Sequence, residues 1–432
     1  MTDRPTEETR RDFLRTTTAK TAGVSAGLIA GVSTIPAVHA QGTSQIRVGL
    51  IGCGGRGSGA AINAMRADPT VRITAMADLF ADSMRRCRSS LQPRFEEQML
   101  VTDDDCFVGF DSYKDLMSTD IDVVLLASPP HYRPDHIEEA VKQGKQIFCE
   151  KPVATDPTGV RRVEAACQEA RRKGLNVVSG LCWRYDPGLK QTVEKIMDGA
   201  IGNLITTQCN YLTNPTWMKT RIPGETEMEY QCRNWYNHTW LSGDHIVEQF
   251  IHSLDKALWL HGDEPPVTAY GQGGRQMRHP ELQGDIYDHF SVVYEWADGT
   301  KTFAATRQMR ECMNQTEDFV MGDKGRARLI KHQIEGETNW QFTERTVQMH
   351  QAEQDEFFKA VQGHRGRIDN GAYMCRSTLM AIQGREVCYT GRELTYQQVA
   401  TSPQDLRPAG DVWGEAPPVK VAQPGEYSFP LA

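Results

Sequence analysis

The chain has 432 residues, a formal net charge of −8, and 39% hydrophobic against 24% charged residues. That balance is ordinary for a soluble protein and gives enough chain for two cores. The acidic excess, without any run of Lys or Arg, excludes nucleic acid and an anionic membrane surface as partners and leaves a small neutral or cationic ligand.

Residues 1–40 read as a twin-arginine export signal. Arg10 and Arg11 precede Phe13 and Leu14, a mild apolar stretch occupies 22–38, and Val38-His39-Ala40 offers a small residue for cleavage. The stretch is too short and too weakly apolar to span a membrane. The mature chain is expected to start at Gln41 and to work in the periplasm or another extracytoplasmic space.

Residues 46–51 read as an apolar strand that runs directly into Gly52-Cys53-Gly54-Gly55-Arg56-Gly57, the spacing G-x-G-x-x-G. Gly52 permits the tight turn, Gly54 lets backbone approach a pyrophosphate, and Gly57 lets the next helix pack against the sheet with its N-terminus toward the phosphates. Gly55 and Arg56 complete the cofactor turn. A second strand, 71–77, ends at Asp78, about 20 residues past Gly57, where a ribose-binding acid belongs. Its carboxylate accepts from a 2′-hydroxyl and repels a 2′-phosphate, which favours NAD over NADP, while Arg56 keeps NADP open.

A doubly apolar strand at 121–127 ends in Ser128-Pro129-Pro130-His131, placing Ser128, Pro129 and His131 at the cofactor edge. A helix over 134–143 stops at Gly144, a strand over 146–149 delivers Glu150-Lys151-Pro152 to the same edge, and 176–179 adds another strand. Residues 41–180 therefore form a Rossmann domain with a doubly wound parallel sheet. Residues 181–402 then alternate a helix at 188–198 with strands at 204–211, 288–296, 301–306 and 319–322, an α+β domain with an open, largely antiparallel sheet. Within it 243–261 has helical spacing, with Ile246, Phe250, Leu254 and Leu258 on one stripe, and further helices are expected at 354–362 and 373–389. The Pro- and Gly-rich residues 403–432 read as an extended C-terminal arm. The eleven cysteines are scattered, without C-x-x-C, and read as buried small hydrophobes; no metal-ligand spacing is present, so no metal is expected.

Three signatures resemble the glucose-fructose oxidoreductase, inositol dehydrogenase and MocA (Gfo/Idh/MocA) family over essentially the mature chain. They are the glycine turn at 52–57, the tripeptide Glu150-Lys151-Pro152, and the block from Gly243-Asp244-His245 through Glu248, Phe250 and His252 to Asp255. The resemblance implies that Lys151 stands beside the nicotinamide and the substrate hydroxyl as general acid/base, and that His252 is the catalytic histidine. Four residues before it the family usually carries aspartate, and here the residue is Glu248, one turn away on a continuous helix. Asp244 and Phe250 replace residues that are usually glycine. Trp183, Arg184, Tyr211, Trp235 and His245 form a group suited to a sugar, with flat aromatic faces and polar tips. Arg184 also matches a family segment that joins the domains.

The function so implied is NAD(P)-dependent oxidation of a secondary hydroxyl on a sugar, polyol or glycoside. Export leaves no free nucleotide pool, so the NAD(H) is expected to be tightly held and reset in each turnover. Two alternatives stand beside it: a glycoside hydrolase that uses NAD through a transient keto-sugar, and a nucleotide- or sugar-binding protein without catalysis. The family habit of pairing the open sheet with a second copy implies a homo-oligomer, a dimer or tetramer.

Overall fold

The computed structural model describes residues 45–408 and 413–432. The expected export signal at 1–40 and its cleavage point lie outside these residues. Among the described residues no helix is long and apolar enough to cross a membrane.

The first sheet contains β1 (Ile46–Ile51), β2 (Val71–Asp78), β3 (Cys106–Val108), β4 (Val123–Leu126), β5 (Gln146–Cys149) and β6 (Val177–Ser179), in the order β3-β2-β1-β4-β5-β6. Every pairing is parallel. β4 is Val-Val-Leu-Leu and all four side chains are buried, as helices on both faces of a parallel sheet require. The helix Gly55–Ala67 presents Ala60, Ala61 and Ala64 to the sheet, small residues that let it approach closely. β3 was not expected from the sequence. At three residues, with none of them fully buried, it is too short to carry a periodic signal.

The second sheet contains β7 (Leu204–Thr213), β8 (Thr268–Gly274), β9 (His289–Glu295), β10 (Lys301–Gln308), β11 (Gln315–Gly322), β12 (Gly325–Arg328), β13 (Gln333–Gly336), β14 (Trp340–Gln341) and β15 (Leu394–Thr395). Their order is β14-β13-β12-β11-β7-β10-β9-β8-β15. β7 and β10 run parallel and the other pairs antiparallel. β10 shows why one face is core: Thr302, Ala304, Thr306 and Gln308 are buried, while Phe303 between them is exposed. The helices Ile251–Leu260 and Gly371–Thr390 cover the buried face.

Two features depart from the sequence reading, and a third, the C-terminal arm, follows it. The expected helix over 243–261 is interrupted: one turn ends at Glu248 and the next helix starts at Ile251. Both Gln249 N and Phe250 N donate to the His245 carbonyl, at 3.0 Å each, which widens the turn at the break. Glu248 and His252 are therefore not successive positions on one continuous helix. The helix Met349–Val361 returns to the first sheet, where Phe357 and Phe358 share a core with Val48 and Phe148. Finally, the arm packs on its own chain: Ala422 and Phe429 are buried, and Tyr287 Oη donates to the Ala422 carbonyl at 2.8 Å. All eleven cysteines are free thiols and most are buried.

Candidate active site

The glycine turn shows two kinds of constraint. Gly52 has φ of 92°, and a Cβ there would stand 2.4 Å from Ser128 N. A Cβ on Gly57 would stand 1.8 Å from the Gly52 carbonyl oxygen, so the helix start rests directly on the strand end. Over Gly54 and Gly55 a Cβ would meet nothing within 4 Å, leaving the outer side of the turn open. Asp78 closes β2 and accepts from Cys53 N at 2.7 Å and Phe80 N at 2.8 Å. Burial raises its carboxyl above the ordinary value against the pull of these two bonds. Gly54, Arg56, Asp78, Phe80, Ser128 and Pro129 line one cleft of about 810 Å³. The open turn, the carboxylate at the strand end and this volume suit a dinucleotide. Ser128 Oγ lies 3.0 Å from His136 Nδ1. His131 is buried below this edge, with Tyr132 and Trp240 each at 4.8 Å in edge geometry, and does not line the cleft.

Arg56 turns inward. Its Nε pairs with Glu150 and its Nη2 lies 3.5 Å from the fully buried Glu353. Burial alone would raise Glu150, but Arg56, with Arg133 and Lys151, holds it below the usual carboxylate value. Glu353, buried and facing Glu150, is pushed well above it. His350 Nδ1 is 3.3 Å from Glu353 Oε1, and Cys182 Sγ is 4.0 Å from His350 Nε2. Cys182, His350 and Glu353 place their donor atoms within 4.8 Å of one another, a set chemically able to hold a metal ion. The Arg56 guanidinium already supplies that carboxylate with a cation. Sequence reading missed His350 and Glu353; the only available signal was their i, i+3 spacing on a short helical stretch.

Lys151 Nζ donates to both the main-chain carbonyl and the Oε1 of Glu248, the latter at 3.0 Å, with both side chains largely buried. His252 Nδ1 is buried without a hydrogen-bond partner among the described residues. Burial, and then the nearby Lys151 and Lys256 cations, hold its imidazole well below the ordinary value, so it is neutral at pH 7. Burial and the Glu248 carboxylate raise the Tyr211 hydroxyl to about 12, and its ring meets Phe250 at 6.3 Å. Lys151, Glu248, His252 and Tyr211 therefore share one environment. Trp235 lines the dinucleotide cleft and meets Trp217 edge-on at 5.7 Å.

Two expected substrate residues, His245 and Arg184, are used elsewhere. His245 is wholly buried, with Nδ1 3.0 Å from Asp244 Oδ1 and 3.1 Å from the Tyr287 carbonyl. Asp244 takes φ of 72° and ψ of 164°, a conformation natural to glycine, and also accepts from Tyr287 N at 2.8 Å and Tyr389 Oη at 2.5 Å. Arg184 pairs with Asp255 at 2.8 Å and Asp263 at 2.6 Å and stacks 3.9 Å from the Tyr373 ring centre, a junction between elements rather than a cleft wall. Trp183 packs beneath Lys256, whose Nζ is 4.7 Å from its ring centre.

Residues 46–179 match the family model described as the GFO_IDH_MocA oxidoreductase family, NAD-binding Rossmann fold, and residues 189–328 match that family's C-terminal domain. An uncharacterized oxidoreductase, YrbE of Bacillus subtilis (strain 168), is 28% identical over 315 residues, covering 65% of this chain and 80% of that protein. An inositol 2-dehydrogenase of Rubrobacter xylanophilus is 32% identical over 259 residues, covering 60% of this chain and 63% of its own length. A solved levoglucosan dehydrogenase, in complex with NADH and levoglucosan, is similar in fold, with a TM-score of 0.63 at 18% identity over 82% of this chain and 100% of that one.

Proposed function

This chain belongs to the Gfo/Idh/MocA oxidoreductase family, and from that premise we propose that it transfers a hydride between NAD(H) and a secondary hydroxyl of a sugar, polyol or glycoside. The observation that carries the reading is Lys151 held on Glu248 beside a neutral His252. When bound, NAD supplies the hydride acceptor. Lys151 Nζ, charged on Glu248, relays the proton that the hydroxyl must lose: it takes up that proton as it hands one of its own to the Glu248 carboxylate, 3.0 Å away. His252, neutral beside Lys151, orients the same hydroxyl. Tyr211 and Trp235 offer the sugar a ring face and a polar tip. The relatives named inositol 2-dehydrogenase support a polyol-like substrate.

The nucleotide is NAD rather than NADP on this reading. Asp78 offers a carboxylate to the ribose, and Arg56 is drawn to Glu150 and Glu353, away from where a 2′-phosphate would need it. With residues 1–40 acting as an export signal, the nucleotide travels with the protein and is reset in each turnover. The second copy of a homo-oligomer docks on the outer face of the second sheet. There Tyr270, Val293, Phe303 and Phe319 lie in one cross-strand row through β8, β9, β10 and β11, with Gln208 of β7 between the last two.

The test is to denature the purified protein and quantify released nicotinamide nucleotide by mass spectrometry, then assay polyols, sugar pairs and glycosides without added nucleotide. Near-stoichiometric NAD(H), with a ketone formed only when a second carbonyl compound is reduced, is the expected result. Free sugar released from a glycoside would replace it with the redox-neutral hydrolase. Absence of both retained and added-nucleotide binding would end the reading.

A further inference from the structure

Beyond Asp78 the cleft is lined by two aromatic rings, and a third, from the C-terminal arm, packs on both. Phe80 follows the end of β2 and Phe110 follows β3, and both line the cleft. Trp413, from the C-terminal arm, lies on both: its ring centre is 4.8 Å from Phe110 and 5.5 Å from Phe80, tilted by 50° and 46°. The Arg233 guanidinium stacks 3.8 Å from the Phe80 ring centre and is itself held by Asp82 at 3.1 Å. The arm just beyond Trp413 is fastened to the body. Gln231 Nε2 donates to the Pro417 carbonyl at 3.0 Å, and Ala416 packs on the core formed by Met228, Cys232, Trp240 and Leu241. Trp413 nevertheless keeps 42% of its surface exposed. A tryptophan carried to a cleft edge on a fastened arm, and left two-fifths uncovered there, still has ring surface to offer.

The order of groups along the cleft says what that surface meets. The glycine turn takes the pyrophosphate and Asp78 takes the ribose of the adenosine half. Phe80, two residues past Asp78, and Phe110 line the same cleft with Trp413 against both, so the remaining part of that half, the base, falls beside rings.

We infer that Trp413 is a cofactor-binding residue, completing with Phe80 and Phe110 an aromatic wall for the adenine of the dinucleotide. The inference rests on the NAD reading of the cleft. Its consequence is kinetic as well as thermodynamic. A stack on a ring held by a fastened arm slows release of the base, which suits a nucleotide that has to stay through many turnovers.

The experiment compares wild type with Trp413→Ala and Trp413→Phe in the full mature chain, measuring NADH affinity and dissociation rate by fluorescence, and AMP and nicotinamide mononucleotide affinity by calorimetry. A ring–base stack is worth about 10- to 100-fold in affinity. Trp413→Ala is therefore expected to weaken NADH and AMP by that factor, mostly through faster dissociation, while nicotinamide mononucleotide, which lacks the adenine, is unaffected. Trp413→Phe is expected to stay within about threefold of wild type, since a ring is retained. NADH and AMP affinities unchanged in Trp413→Ala overturn the inference. So does an equal loss for all three ligands, which would report a general disturbance of the cleft. Failure of wild type to bind any of them would instead overturn the NAD reading itself.

Discussion

Lys151 holds Glu248 twice, through the carboxylate and through the main-chain carbonyl. One ammonium thereby ties the end of β5 to the last residue before the helix break at Gln249 and Phe250. The break leaves the Glu248 carbonyl free to accept from a side chain instead of from the next helical turn. The acid/base group and the irregular backbone are thus one arrangement: the lysine satisfies the carbonyl, and the carbonyl aims the lysine.

Replacing Lys151 by alanine removes the proton relay but leaves the glycine turn and Asp78 untouched. Turnover is expected to fall by about 10²- to 10⁴-fold, the usual worth of a positioned acid/base group. NADH affinity is expected to stay within a few-fold of wild type. Steady-state kinetics beside a fluorescence titration check both, and unchanged turnover would remove Lys151 from the mechanism.

Gly57→Ala places a methyl group 1.8 Å from the Gly52 carbonyl oxygen, inside backbone that cannot yield without moving the helix off β1. A loss of about 3 kcal/mol or more in stability is expected, because overpacking is here against main chain rather than a flexible side chain. Denaturant melts measure it, and nucleotide binding should fall with it. Gly54→Ala, whose Cβ meets nothing within 4 Å, is expected to keep stability and lose only nucleotide affinity.

His238 is 2% exposed, and burial pulls its imidazole from the ordinary 6.5 down to about 4. The unfolded chain takes up a proton as pH falls through 6.5, whereas the folded chain does not until about 4. Stability contributed by the neutral ring is thus complete above that range and is lost on acidification, up to about 3 kcal/mol at 1.4 kcal/mol per pH unit. His238→Gln should narrow the gap in melting temperature between pH 7 and pH 5, with little effect on that gap between pH 7 and pH 8.

Phe303 is 48% exposed in the middle of the outer row of the second sheet. Light scattering at micromolar concentration is expected to give a dimer or tetramer for wild type and a smaller species for Phe303→Lys, because a lysine set against an apolar partner face must be desolvated without a counter-charge. A monomeric wild type would remove the docking proposal.

Much of the fold was legible where apolar runs are bounded by turn residues. β1 and β5 carry the boundaries that the sequence implies, since each is a short run ended by glycine or by the Glu150 tripeptide. The helix break was invisible because its apolar stripe, Ile246, Phe250, Leu254 and Leu258, keeps its spacing straight through and is buried throughout. Lys151 and His252 could be grouped through the family resemblance of their motifs, and Glu248 joined them by its spacing from His252. His245 could not be separated from them, because only tertiary structure shows the Asp244 carboxylate and the Tyr287 carbonyl closing around its ring. The pairing of Arg56 with Glu353, and of Trp413 with Phe80, joins residues hundreds of positions apart and has no local trace in the sequence.

The return of the helix Met349–Val361 to the first sheet bears on how the protein is made. While the ribosome is still adding the second sheet, the nascent first sheet lacks Phe357 and Phe358 over Phe148, and Val177 N lacks the Ile368 carbonyl that caps it at 3.0 Å. A nucleotide fold that begins at Ile46 is thus finished only after residue 368 has emerged, and a fragment cut at the end of β6 would carry an uncovered apolar face into solution. The core of the nucleotide fold is thus discontinuous in sequence, shared between the residues up to β6 and a helix that follows them by about 170 positions.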